Sequence, residues 1–239
     1  TMSRETLQNL GSLANEMLPL LSDLNPRIYF NGGRGILSLE KAGFKPVSTS
    51  PFEDDPLGVL PKILQDFVRE IASRNNGLTV LPWGGGAFKN LNLRPKIRTL
   101  SILSNSPVAH GLARLLEIEA HDIRGLNDLL TQARRLLRNG DVLIHFEQPD
   151  EESHKRSYTG KILAIEEADH ILEELYRETG CRILLVVDHG ASSITGRHFR
   201  VETPFLYAER PAKEISRRFH EKTSGRFVST YRLLNLTYK

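Results

Sequence analysis

The sequence predicts an α/β protein with a mostly parallel sheet covered by helices on both faces. Three observations carry that expectation. From Ile97 onward, short apolar runs alternate with segments of helical periodicity, the pattern of strand and crossover helix. One run, Leu184-Leu-Val-Val187, is apolar throughout, as a central parallel strand covered on both faces would be. Between them lies a long helical pattern over 157–178, stopped by Gly180. The division expected is 1–94 for a smaller α/β lobe with a leading helix, 95–220 for the main sheet, and 221–239 for a basic tail.

Taken in order, residues 5–22 place Leu7, Leu10, Leu13, Met17, Leu20 and Leu21 on one helical face, ended by Asn25-Pro26. Ile28-Tyr-Phe30 and Ile36-Leu-Ser-Leu39 read as a hairpin across Asn31-Gly-Gly-Arg34-Gly35, which lacks the Gly-Lys-Ser/Thr ending of a phosphate loop. Residues 43–56 read as loop, 57–73 as an amphipathic helix, and Leu78–Leu81 as a short strand ahead of Trp83-Gly-Gly-Gly86. Next come a strand over 98–103, a helix starting at Ser106-Pro107, a helix over 126–138 and a strand over 141–147. The long helix has Ile162, Ile165, Ala168, Ile171, Leu172 and Leu175 inward. A strand over 182–187, a short strand over 204–208 and a helix over 211–219 complete the chain.

Composition sets the class. A chain of 239 residues, 39% hydrophobic and 26% charged, can bury a full core. No apolar run reaches the length of a membrane span. Met2, behind Thr1, reads as the natural start, and the residues after it have no secretory pattern, so a cytoplasmic location is expected. The single cysteine, Cys181, excludes an internal disulfide and a zinc–thiolate cluster. A net charge of +3 suits a small anionic substrate; nucleic-acid binding is disfavoured, because the arginines are scattered and no nucleic-acid motif is present.

Five residues of metal-ligand type, Asp150, His154, Asp188, His189 and His198, fall at or just beyond strand ends, where open α/β sheets build their sites. A lone aspartate or histidine there is usually a solvated loop residue or a cap; five on consecutive loops shift the balance toward a site. Asp150 and His154 are four apart, so a tight turn would converge them on one divalent ion, with His198 completing the set. Asp188 and His189 would reach a second ion if the chain turns there, which Gly190 permits. Oxygen and nitrogen donors without thiolate suit manganese or zinc. Two such ions about 3.5–4 Å apart clamp a phosphoryl group in transfer. Arg197, with Arg200 and Arg210, could hold a phosphate or carboxylate, although a solvated basic face is the commoner role for loop arginines.

The segment Ile144-His-Phe-Glu-Gln-Pro-Asp150-Glu-Glu-Ser-His154, followed by Gly160-Lys161-Ile-Leu-Ala-Ile-Glu166, Val187-Asp188-His189, His198 and Thr203-Pro-Phe, resembles the archaeal-type cofactor-independent phosphoglycerate mutases of the alkaline phosphatase superfamily. Trp83-Gly84 and Ser106–Leu115 add looser likeness. The resemblance implies an alkaline phosphatase-like core over 95–220 and a cap-like lobe over 1–94. It assigns Asp150, His154 and His198 to one ion and Asp188 and His189 to the other. The family's opening Asp-Gly strand end and serine nucleophile have no counterpart here, and no Asp-Gly occurs anywhere in the chain.

The function expected is therefore metal-dependent phosphoryl transfer, as mutase or phosphatase, on a small phosphorylated metabolite. Arg34, Lys161 and Arg197 would contact its anionic group. Water at the centre, or a hydroxyl from Ser48, Thr49 or Ser50, would serve as nucleophile. The alternative is a degenerate relative that binds metal or a phosphoester as a regulatory or partner subunit. A homodimer, or a partner chain supplying the missing segment, would cover the sheet edge left by the absent first strand.

Overall fold

The computed structural model describes residues 2–31, 33–44, 55–87 and 99–209. The chain divides into two compact units, Thr1–Asn92 and Leu93–Lys239.

The first unit is two helices and a hairpin around one core. Helix α1 (Arg4–Glu16) starts at Ser3, whose side chain accepts from the Thr6 amide at 3.1 Å. A 3-10 segment, Leu18–Leu24, follows, with Pro19 in its first turn, and Asn25 ends it in the left-handed region. Strands β1 (Pro26–Asn31) and β2 (Arg34–Leu39) pair antiparallel with Asn31 opposite Arg34, as the hairpin reading requires. Helix α2 (Lys62–Arg74) buries Leu64, Phe67, Val68 and Ile71 against Leu10, Ala14, Met17 and Leu21. Leu78–Leu81 does not form the expected strand. The Thr79 hydroxyl donates instead to the Val68 carbonyl at 2.7 Å, tying the segment to α2.

The second unit is α/β, with a three-stranded parallel sheet flanked by helices. Strands β3 (Leu100–Leu103), β4 (Glu119–His121) and β5 (Asp141–Ile144) lie in the order β4-β3-β5, all parallel. Helix α3 (Pro107–Leu115) connects β3 to β4, and α4 (Leu126–Leu137) connects β4 to β5. Strand β4 had no periodic signal, being three residues long. Helices α5 (Gln148–His154) and α6 (Tyr158–Thr179) follow β5. Ser157 caps α6 by accepting from the Gly160 amide at 3.1 Å. The core joins Leu103 of β3 to Leu129, Leu130, Ala133 and Leu136 of α4 and to Ile171 and Leu175 of α6.

Two expectations change here. Ile162 and Ile165, read as inward, are exposed; Ala164, Ile171 and Leu175 are the buried positions of α6. The apolar run read as a central parallel strand forms β6 (Ile183–Val186), which pairs antiparallel with β9 (Phe205–Ala208), Leu184 opposite Tyr207. A short apolar run does not encode the direction of its partner. Between them, β7 (Gly190–Ala191) and β8 (His198–Phe199) form a small antiparallel hairpin. The helix expected over 211–219, Arg210, and the basic tail over 221–239 lie outside the described residues. No helix among those described is long and apolar enough to cross a membrane.

Candidate metal centre

Asp150 and His154 come together because the chain after β5 is helical, where a turn was expected. Pro149 fits the first turn of α5, and Asp150 and Glu151 place negative charge at the helix N-terminus, where the helix dipole favours it. Positions four apart then share one face. The buried Ser153 hydroxyl donates to the Pro149 carbonyl at 2.7 Å, adding a cross-brace to this short helix.

His198 arrives from the β7–β8 hairpin. It pairs with Ala191 across the ladder, and the turn is closed by Ser192 N–H to the Arg197 carbonyl at 3.0 Å and by Gly196 N–H to the Ser192 carbonyl at 2.8 Å. Gly190, expected to permit a turn, is used for close approach: a Cβ there would meet Phe199 and Val201 side-chain atoms at 2.7–2.8 Å. Gly196 has φ +70, and its carbonyl takes a hydrogen bond from His154 Nδ1 at 2.8 Å.

The three side chains converge. His198 Nε2 lies 3.1 Å from Asp150 Oδ1 and 3.1 Å from His154 Nε2, and His154 Nε2 lies 3.3 Å from Asp150 Oδ2. Among the described residues, this is the one group of three or more potential ligands whose donor atoms all lie within 4.8 Å of one another. Because His154 Nδ1 donates to the Gly196 carbonyl, a neutral His154 presents a bare Nε2. That lone pair then faces the Asp150 carboxylate, so two acceptors meet. The His198 Nε2–H, 3.1 Å from each, can bridge them, and a metal ion would satisfy all three donors at once.

The fit to a metal is geometric as well as chemical. Two ligands about 2.0–2.1 Å from a tetrahedral ion stand roughly 3.3 Å apart, close to the spacings present. One carboxylate and two imidazoles form a donor set for zinc or manganese. A backbone carbonyl on the far nitrogen of a ligating histidine is the usual orienting contact, and Gly196 supplies it to His154.

Asp188 and His189 follow β6 after one intervening residue. The His189 amide donates to Asp188 Oδ1 at 2.9 Å, and His189 Nε2 lies 3.4 Å from Asp188 Oδ2. Asp188 is exposed, its side chain 82% accessible. The His189 ring packs on His198, and its Nδ1 is buried without a hydrogen-bond partner among the described residues. An orphaned imidazole nitrogen beside a ligand cluster fits a second ligating position.

Lys161 Nζ donates to the Ala191 carbonyl at 2.5 Å, on the hairpin. Arg197 is exposed in the hairpin turn, its amide bonded to Thr195 Oγ1. Arg34 is exposed at the start of β2 in the first unit. Ser48, Thr49 and Ser50 lie outside the described residues.

Sequence reasoning passed over Ser104. This fully buried residue at the end of β3 bonds His145 Nδ1 through its hydroxyl at 3.0 Å, while its carbonyl meets His110 Nε2 at 2.7 Å. His145 follows β5 and is half-buried, with Ser104 as its partner. The signal available was a small polar residue directly after an apolar strand.

Comparison with known proteins gives the same segment weight. Residues 120–235 match the Metalloenzyme superfamily. That stretch is a little under half of the chain and contains all five candidate ligands. Among solved structures, the PH0037 protein from Pyrococcus horikoshii is similar in fold, with a TM-score of 0.51 at 16% identity over 80% of this chain and 56% of that one. The chain therefore spans little more than half the length of that protein. None of the curated proteins matches.

Proposed function

We propose that the protein performs metal-dependent phosphoryl transfer, phosphoglycerate mutase-like in type and acting as mutase or phosphatase, on a small phosphorylated metabolite. The observation that carries this reading is the convergence of Asp150, His154 and His198 donor atoms at 3.1–3.3 Å, spacings suited to one divalent ion. The Metalloenzyme superfamily match over the same segment supports it. Zinc or manganese is the ion proposed, with Asp188 and His189 toward a second.

Divalent ions here would supply positive charge against phosphoryl oxygens. The chain's own part is positional: α5 sets Asp150 and His154, the hairpin sets His198, and the Gly196 carbonyl fixes the His154 ring. Lys161, whose ammonium keeps donors beyond its bond to the Ala191 carbonyl, and Arg197 are proposed contacts for the anionic substrate. A homodimer or a partner chain is proposed to pair along the free edge of β5. Supporting this, β5 is paired on one edge only among the described residues, and Leu143 within it is 44% exposed.

A second reading has its own support. Asp188 and His189 offer only two donors, and Asp188 is largely exposed. On that reading the protein binds one ion or a phosphoester as a regulatory subunit.

Metal content of protein purified without chelator, beside Asp150→Ala and Asp188→Ala, separates the two. Two ions per chain, with one lost in each variant, is the expected result and directs a screen of phosphorylated metabolites. One ion, lost only in Asp150→Ala, favours the binding role. Protein that takes up no metal even when supplied with zinc or manganese would overturn the metal-dependent reading and leave only phosphoester binding.

A further inference from the structure

We propose that Lys161 is a positioning residue for the candidate metal centre, seating the β7–β8 hairpin so that His198 meets Asp150 and His154. The proposal rests on the metal reading above and deepens it.

Lys161 occupies the first turn of α6, where its amide donates to the Ser157 carbonyl at 3.0 Å. A cation is electrostatically disfavoured in the first turn of a helix, so helix stability does not account for lysine there. Its contact does. Nζ reaches across to the Ala191 carbonyl at 2.5 Å, and no carboxylate pairs with this Nζ among the described residues. Ala191 is the ladder partner of His198. The hydrogen bond therefore acts on the same rung of the ladder as a proposed ligand.

The hairpin needs such support. Its strands are two residues each, and an isolated two-stranded hairpin is marginal in water. Besides the contacts of His198 with Asp150 and His154, two bonds fasten it to the α5–α6 corner: His154 Nδ1 to Gly196 O in the turn, and Lys161 Nζ to Ala191 O on β7. With the first alone, the hairpin could pivot about its turn and carry His198 away. With both, its position is fixed on two sides. Holding a long lysine side chain in one conformer costs entropy, and the return is a fixed position for His198.

The test compares wild type, Lys161→Met and Lys161→Arg. In metal-free protein, amide exchange at Ser192 and Gly196 should quicken in Lys161→Met while α4 amides stay unchanged. Titrated with cobalt(II) alone, Lys161→Met should bind about ten- to a hundredfold more weakly, the usual effect of losing an orienting partner, with an altered ligand-field spectrum. Lys161→Arg, which can still donate to the carbonyl, should restore most of the affinity. Unchanged hairpin exchange, or cobalt affinity and spectrum equal to wild type in Lys161→Met, would overturn the positioning role. Wild type that binds no cobalt while the exchange effect persists would instead overturn the metal reading and leave the clamp standing.

Discussion

His189 and His198 stack with ring centroids 3.9 Å apart and planes 32° from parallel. One ring follows β6, and the other belongs to the triad. The two proposed ligand sets are thus in van der Waals contact, and disturbing one should be felt by the other.

Replacing His189 by leucine tests this contact. An aromatic pair contributes about 0.5–1.5 kcal/mol beyond its buried area, so the triad's affinity for zinc should fall about two- to tenfold. The Asp150, His154 and His198 donors remain. Any second ion should be lost. Calorimetric titration gives both numbers, and a triad affinity unchanged in the variant would mean that the stacking is incidental.

Gly196→Ala should loosen the hairpin. A left-handed conformation costs an L-residue about 1–2 kcal/mol, and the added Cβ would stand 3.2 Å from the His154 carbonyl oxygen. The expected result is faster amide exchange at Ser192 and weaker metal uptake, with the thermal unfolding of the parallel-sheet core little changed.

Acid should weaken the start of α4 through Asp128. Its carboxylate accepts from the Arg124 amide at 2.8 Å and from Gln132 Nε2 at 2.9 Å. The backbone hydrogen bond first, then the glutamine, hold its pKa below the usual aspartate value. A carboxyl lowered in the folded state contributes its full stability above the unfolded value. The contribution fades as pH falls through that value and is gone below the folded one. Urea midpoints of wild type and Asp128→Asn should therefore differ near neutral pH and converge as pH falls below the ordinary aspartate range.

Much of the candidate site was legible before the fold. Asp150 and His154 four apart, with His198 ahead of an apolar strand, carried the triad on residue type and spacing. Their local structure was less legible. The acidic residues after Gln148-Pro149 signal a helix start, but seven residues are too few for periodicity to show. Strands β7 and β8, two residues each, leave no alternation to read, so the element that delivers His198 was invisible. The error at Ile162 and Ile165 has a different cause. Helix α6 is apolar on more than one side, and only tertiary contact selects the face that packs on α4.

His154 and His198 lie 44 residues apart in sequence, and α6 occupies half of the chain between them. An ion gripped by both would act as a non-covalent cross-link, closing that long loop and restricting the unfolded chain much as a disulfide does. Part of its binding free energy would then be folding free energy. The β6–β9 ribbon, hydrogen-bonded only within itself among the strands described, would gain most from the stitch. Chelation would release that end of the molecule first.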